Sequence, residues 1–206
     1  MRTSLVLHDR VFPQLLLLHQ KANGAVERIA RGILSAERGA PRLIAIPDSA
    51  APEGSTASVD FDTVKPVMVT SPDKCQVEYV PADSNWEHVL ASRLEGMSEV
   101  RAYVKNQGLG FTIRYTFDTE SRAYVPDFVV RVDDGNGEDL LSLIIEVTGQ
   151  ARPDKVERVA TAREQWVPGV NALGRHGRWD FIEITDPWNA ETAIHAHLVS
   201  RLELVA

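Results

Sequence analysis

Two apolar runs in this chain each carry one acid where a buried strand would ordinarily carry none. They are Tyr124-Val125-Pro126-Asp127-Phe128-Val129-Val130-Arg131 and Leu143-Ile144-Ile145-Glu146-Val147-Thr148-Gly149. Short runs of this kind read as strands of a sheet, and a charge placed inside one needs a partner, because an unpaired buried carboxylate is costly. Asp127 and Glu146 stand nineteen positions apart, a separation that suits two neighbouring strands joined by the polar loop Asp133-Asp134-Gly135-Asn136-Gly137-Glu138-Asp139. One partner that would account for both acids is a divalent metal. Hard cations such as Mg²⁺ take oxygen ligands and are often held by one or two carboxylates plus substrate phosphate, which points to phosphodiester chemistry. The alternative is a pair of strand-end carboxylates bound by main-chain donors or by arginines such as Arg131.

The remaining text of the chain reads as alternating helix and strand. Apolar positions Leu15, Leu18, Ala22, Val26, Ile29, Ile33 and Leu34 recur every three or four residues and predict an N-terminal helix that ends near Gly39. Short strands follow over 43–46, 64–70 and 76–80, around a Pro/Ser/Ala/Gly loop over 47–58. Asp83-Ser84-Asn85 offers N-cap residues for a helix whose stripe is Trp86, Val89, Leu90 and Leu94, with an end at Gly96. Glu87 flanks that stripe. It could reach a site at the sheet edge, or serve only as a first-turn acid facing the helix dipole. Strands are expected over 101–104, 110–117, 123–132 and 140–147, then a helix over 153–166, a strand over 179–184 and a final helix over 190–204. This order predicts an α/β fold: a central mixed β-sheet flanked by helices, preceded by an N-terminal helix and short strands. The division expected is 1–80 for the N-terminal helix and β segment and 81–206 for the core.

Composition narrows the class. At 206 residues, 44% hydrophobic and 25% charged, the chain has the profile of a soluble globular fold. A lone cysteine, Cys75, excludes an internal disulfide framework and a cysteine-based zinc cluster, and suits a reducing cytoplasm. The apolar stretch Leu15–Leu18 is far short of the roughly 20 residues that span a bilayer, so no membrane association is expected. A net charge of −7 argues against a strong sequence-independent grip on nucleic acid. Contact with DNA would then be local and metal-assisted, or supplied by another domain or subunit.

Pro126-Asp127 followed by Glu146-Val147-Thr148, behind a helix carrying Glu87, resembles the PD-(D/E)xK nuclease superfamily, whose motif sets an aspartate and a D/E-x-K triplet on adjacent strands of an α/β core. Asn85-Trp86-Glu87, Tyr103-Val104-Lys105-Asn106, Leu109-Gly110-Phe111, Tyr124-Val125-Pro126-Asp127-Phe128 and Trp166-Val167-Pro168-Gly169-Val170-Asn171 look like the C-terminal endonuclease region of type III restriction enzyme helicase/nuclease (Res-type) subunits. The resemblance runs from about Phe12 to Thr185. It implies a restriction-endonuclease-like core and a DNA endonuclease within a restriction-type defence complex, with double-stranded DNA as substrate. It also implies Mg²⁺, replaceable by Mn²⁺, on Asp127, Glu146 and the main-chain carbonyl of Val147, with Glu87 as outer ligand or water positioner. In such enzymes the ion polarises the scissile phosphate and lowers the pKa of a bound water. The implied partners are an ATP-dependent helicase region, whose Gly-x-x-x-x-Gly-Lys-Ser/Thr loop does not occur here, and a methyltransferase or specificity subunit.

Where the motif has lysine, this chain has Thr148. A hydroxyl cannot set positive charge beside a developing anion, and loss of one such contact costs about 10²–10³ in rate. Lys155 is the leading substitute, and is otherwise a solvated helix charge between Asp154 and Glu157; Gln150 and Lys105 are weaker candidates. The same substitution leaves open a catalytically silent module for DNA docking or protein assembly. His195 and His197 lie two apart in a helical pattern and share no face. Trp86, Trp166, Trp179 and Trp188 read as packing residues, and the loop over 133–139 lacks the ligand spacing of an EF-hand.

Overall fold

The computed structural model describes residues 55–118, 120–148 and 153–205, all within one compact unit, Leu43–Ala206. The N-terminal helix expected to end near Gly39, the strand over 43–46 and Gln150 lie outside the described residues.

Three apolar segments and one further strand make the central sheet. Its strands are β3 (Val100–Lys105), β6 (Phe128–Val132), β7 (Leu141–Val147) and β8 (Arg178–Ile184), in the order β3-β6-β7-β8. The first two pairings are antiparallel and β7·β8 is parallel, so the sheet is mixed, as the sequence predicts. A parallel neighbour requires a crossover. Here it is helical: α2 (Lys155–Ala160), a π-type segment (Thr161–Trp166) and α3 (Val167–Leu173).

Alternate residues of β7 serve the two faces of the sheet. Leu141, Leu143 and Ile145 enter a core completed by Leu90, Ala91 and Leu94 of α1 (Asn85–Gly96) and by Ala190, Ile194 and Leu198 of α4 (Ala190–Val205). Ile144 points the other way, into a second core with Phe181, Val159, Ala162 and Val167. That second core is closed by the antiparallel hairpin of β4 (Ile113–Phe117) and β5 (Glu120–Tyr124), which supplies Ile113, Tyr115 and Tyr124. A smaller ladder, β1 (Val67–Val69) with β2 (Tyr79–Pro81), adds Val80 to the first core.

The strands expected over 64–70, 76–80 and 110–117 are the shorter or shifted β1, β2 and β4, and two further boundaries differ from those expected. The run over 123–132 is broken into β5 and β6 by Val125-Pro126-Asp127, since Pro126 has no N–H to continue a ladder. The helix expected to stop at Trp166 continues to Leu173. Its π-type turn, closed by the Val167 N–H onto the Ala162 carbonyl, widens the helix just before Pro168, and Gly174 then ends it in the left-handed conformation.

The acidic loop over 133–139 is an arginine clamp. Arg178 takes both carboxylate oxygens of Asp134 at 2.6 and 2.8 Å and reaches Asp139 at 2.8 Å, while Arg101 holds Asp133 at 2.7 Å. Trp166 and Trp179 pack with Phe111 at ring separations of 5.1–5.6 Å, so these two are packing residues, as read from the sequence. Among the described residues no helix is long and apolar enough to cross a membrane.

Candidate active site

The ladder between β6 and β7 pairs Phe128 with Ile145. One step further along an antiparallel pair sets Asp127 opposite Glu146. Pro126 ends the regular backbone there, and the Asp127 side chain takes over the ladder, its Oδ2 accepting the Val147 N–H at 2.7 Å. The Asp127 carbonyl accepts from the Asn106 N–H at 2.8 Å, which ties the same turn to the end of β3. Asp127 is thus fixed from both neighbouring strands.

Glu146 points to the face of the second core and is 4% exposed. Its Oε2 accepts the Tyr124 hydroxyl at 2.6 Å, and its Oε1 accepts from Arg158 Nη2 at 2.8 Å. The Arg158 guanidinium also lies over the Tyr124 ring, 5.1 Å from its centroid. Burial, and then the negative charge of Asp127, push the Glu146 carboxyl up to about 7 against the lowering pull of Tyr124 and Arg158. Asp127 is raised above the ordinary aspartate value as well, first by burial and then by Glu87, with Val147, Lys105 and Arg158 pulling it down. Each carboxylate makes the other harder to ionise.

Glu87 belongs to the opposite layer. It is buried on α1, where it binds the ammonium of Lys105 and accepts the Asp83 N–H at 2.7 Å. The sequence placed Glu87 beside the buried stripe of α1; the structure buries it with Leu90, Ala91 and Leu94 of that helix, close enough for its charge to act on Asp127.

Lys155 does not reach back to the Asp127/Glu146 pair. Its Nζ sits 2.5 Å from Oε1 of Glu183, and the Thr148 hydroxyl donates to that same oxygen. Burial works to raise the Glu183 carboxyl, but Lys155 and Thr148 hold it below the usual range. The reason is register: β7 and β8 run parallel with Glu146 beside Glu183, so the residue at the motif's lysine position meets Glu183 and not Asp127. The cation on Glu146 is Arg158, one turn further along α2. Neither is the arginine Arg131, whose strand position faces Ser142.

Glu183 escaped the sequence reading although it gives the signal that exposed the first two acids, a lone carboxylate inside Phe181-Ile182-Glu183-Ile184. Tyr124 and Arg158 carry no comparable signal alone. Arg158 follows Lys155 by three and therefore shares its helix face.

The donors of Asp127 and Glu146 are hard oxygens, and their mutual repulsion is what a bound cation relieves, so the residues fit Mg²⁺. Among the described residues no three His, Cys, Asp or Glu side chains converge as a metal-binding group. An ion here would complete its shell with water and phosphate oxygens. His195 and His197 are engaged separately, with Glu99 at 2.9 Å and Asp180 at 3.1 Å. No family model, curated protein or solved structure matches this chain.

Proposed function

We propose that this chain is a metal-dependent DNA endonuclease domain of PD-(D/E)xK type, with a restriction-endonuclease-like core, acting in a restriction-like defence complex. The supporting observation is the opposition of Asp127 and Glu146 at the ends of adjacent antiparallel strands, each raised in pKa by burial and by negative neighbours. In this reading the two carboxylates would hold Mg²⁺ or Mn²⁺, which would supply positive charge to a phosphodiester and acidify a bound water. The other residues position. The Val147 N–H orients the Asp127 carboxylate, the Tyr124 hydroxyl orients that of Glu146, and the Glu87–Lys105 pair sets the field behind Asp127. With a net charge of −7, affinity for double-stranded DNA comes largely from the helicase region and the methyltransferase or specificity subunit.

A second reading, a catalytically silent nuclease-fold module for DNA docking or assembly, is favoured by one observation: Lys105, Lys155 and Arg158 each already face a carboxylate. Calorimetric titration of Mg²⁺ and Mn²⁺ into the wild-type protein and into folded Asp127→Ala and Glu146→Ala variants separates the two. The endonuclease reading requires binding that both substitutions abolish. No binding at millimolar metal, or equal binding by all three proteins, favours the silent module.

A further inference from the structure

The triplet that begins at Glu146 has no lysine, and three cations surround the acids. Two of them are committed elsewhere. Lys105 is buried against Glu87 in the α1 layer, with side-chain exposures of 7% and 9%. Lys155 shares an oxygen of Glu183 with the Thr148 hydroxyl. Arg158 differs from both, because its carboxylate is Glu146 itself.

Arg158 is also underused. Its Nη2 donates to Glu146, and its Nε is buried with no hydrogen-bond partner. A buried donor left unmade costs free energy, and such groups in a folded protein call for an explanation. The guanidinium is a planar fork of five donors that matches phosphate oxygens in pairs, which an ammonium does not. The Arg158 guanidinium carbon lies 5.1 Å from the centroid of the Tyr124 ring, a cation–π contact that uses none of those donors.

We propose that Arg158 is the phosphate-binding cation of this site, resting on Glu146 in the absence of metal and turning to the oxygens of the DNA phosphate when metal claims that carboxylate. The inference rests on the endonuclease reading and replaces Lys155 as bearer of the missing charge. It places the function of the motif lysine on the second turn's face of α2, within reach of the same carboxylate. Because the Glu146–Arg158 ion pair competes with metal, the arginine sets how tightly metal binds before DNA arrives.

The test is a metal titration followed by a DNA titration. Mn²⁺ binding is measured by calorimetry for wild type, Arg158→Gln and Arg158→Lys, each checked for cooperative unfolding. A fluorescein-labelled duplex oligonucleotide is then titrated by anisotropy in Ca²⁺ and in metal-free buffer. Arg158→Gln should bind Mn²⁺ about tenfold more tightly, since Glu146 no longer gives up a charged hydrogen bond, and should lose the Ca²⁺-dependent part of its DNA affinity. Arg158→Lys should stay near wild type for Mn²⁺ and lose about tenfold in DNA affinity, having charge without the fork. Unchanged Mn²⁺ affinity or unchanged DNA affinity in Arg158→Gln makes the residue a structural ion pair and overturns the inference alone. If Arg158→Gln does not fold, unchanged DNA affinity in Arg158→Lys overturns it. Absence of Mn²⁺ binding in all three proteins removes the endonuclease reading and the inference together.

Discussion

Replacing Lys105 by methionine should destabilise the protein more than almost any other single change of a charged residue. Lys105 and Glu87 are 7% and 9% exposed at the side chain and bind each other across the α1–sheet interface. Removing one member of a buried pair strands the other charge, at a cost of about 3–5 kcal/mol against a total stability on the order of 5–15 kcal/mol. Lys105→Met belongs at the upper end of that range. It leaves the Glu87 carboxylate with the Asp83 N–H as its remaining hydrogen bond, facing the negative charge of Asp127. Glu87→Gln belongs at the lower end, because an amide oxygen still accepts from Asp83. The double change Glu87→Leu with Lys105→Met should be close to neutral, since well-packed apolar replacements of a buried pair are neutral or stabilising by about 1–4 kcal/mol. Urea unfolding of wild type, Lys105→Met, Glu87→Leu and the double variant, analysed as a double-mutant cycle at unchanged m, gives the coupling directly. Single variants that each cost under about 1 kcal/mol, with an additive double, would show that the pair does not form in the folded protein.

Three further outcomes are expected. Burial acts to raise the Asp180 carboxyl, but His197, the Phe181 N–H and Arg201 together hold it down at about 2; its unfolded value is higher, so it contributes stability of about 2 kcal/mol above pH 4 that is lost as pH falls through 2. Asp180→Asn should therefore flatten the fall in thermal midpoint between pH 5 and pH 2, and an unaltered acid limb would contradict this. Gly174 has φ +67° with open space around a notional Cβ, so Gly174→Ala should cost about 1 kcal/mol of backbone strain; a loss above about 3 kcal/mol in urea unfolding would mean that packing is involved. Because the Glu146 carboxyl is pushed up to about 7, metal must displace a proton at pH 6 and not at pH 8. Mg²⁺ affinity read from thermal shifts should be about tenfold weaker at the lower pH, and a flat profile would separate Glu146 from metal binding.

The centre of the sheet was legible because β6 and β7 are apolar runs long enough to be read without an alternating pattern. β6 and β7 also announced the acids, since a lone carboxylate stands out against Val and Ile. Three things were hidden. Pro126 sits inside a run that is apolar on both sides, so the break between β5 and β6 depends on a missing N–H and not on hydropathy. The helix beyond Trp166 was obscured by Pro168 and Gly169, and its continuation relies on a π-type turn that propensity does not encode. The pairing of cations depended on register. Lys155 is nearer in sequence to Glu146 than Arg158 is, yet the parallel alignment of Glu146 with Glu183 gives Lys155 a different carboxylate.

The proposed account stands on Asp127 and Glu146 sharing one divalent ion. Anomalous diffraction from crystals of this protein soaked in Mn²⁺ tests that most directly. The account predicts a single peak within direct coordination distance, about 2.0–2.4 Å, of one oxygen from each carboxylate, with the Arg158 guanidinium moved off Glu146. Asp127 and Glu146 free of anomalous density, with Arg158 still bound to Glu146, would contradict it.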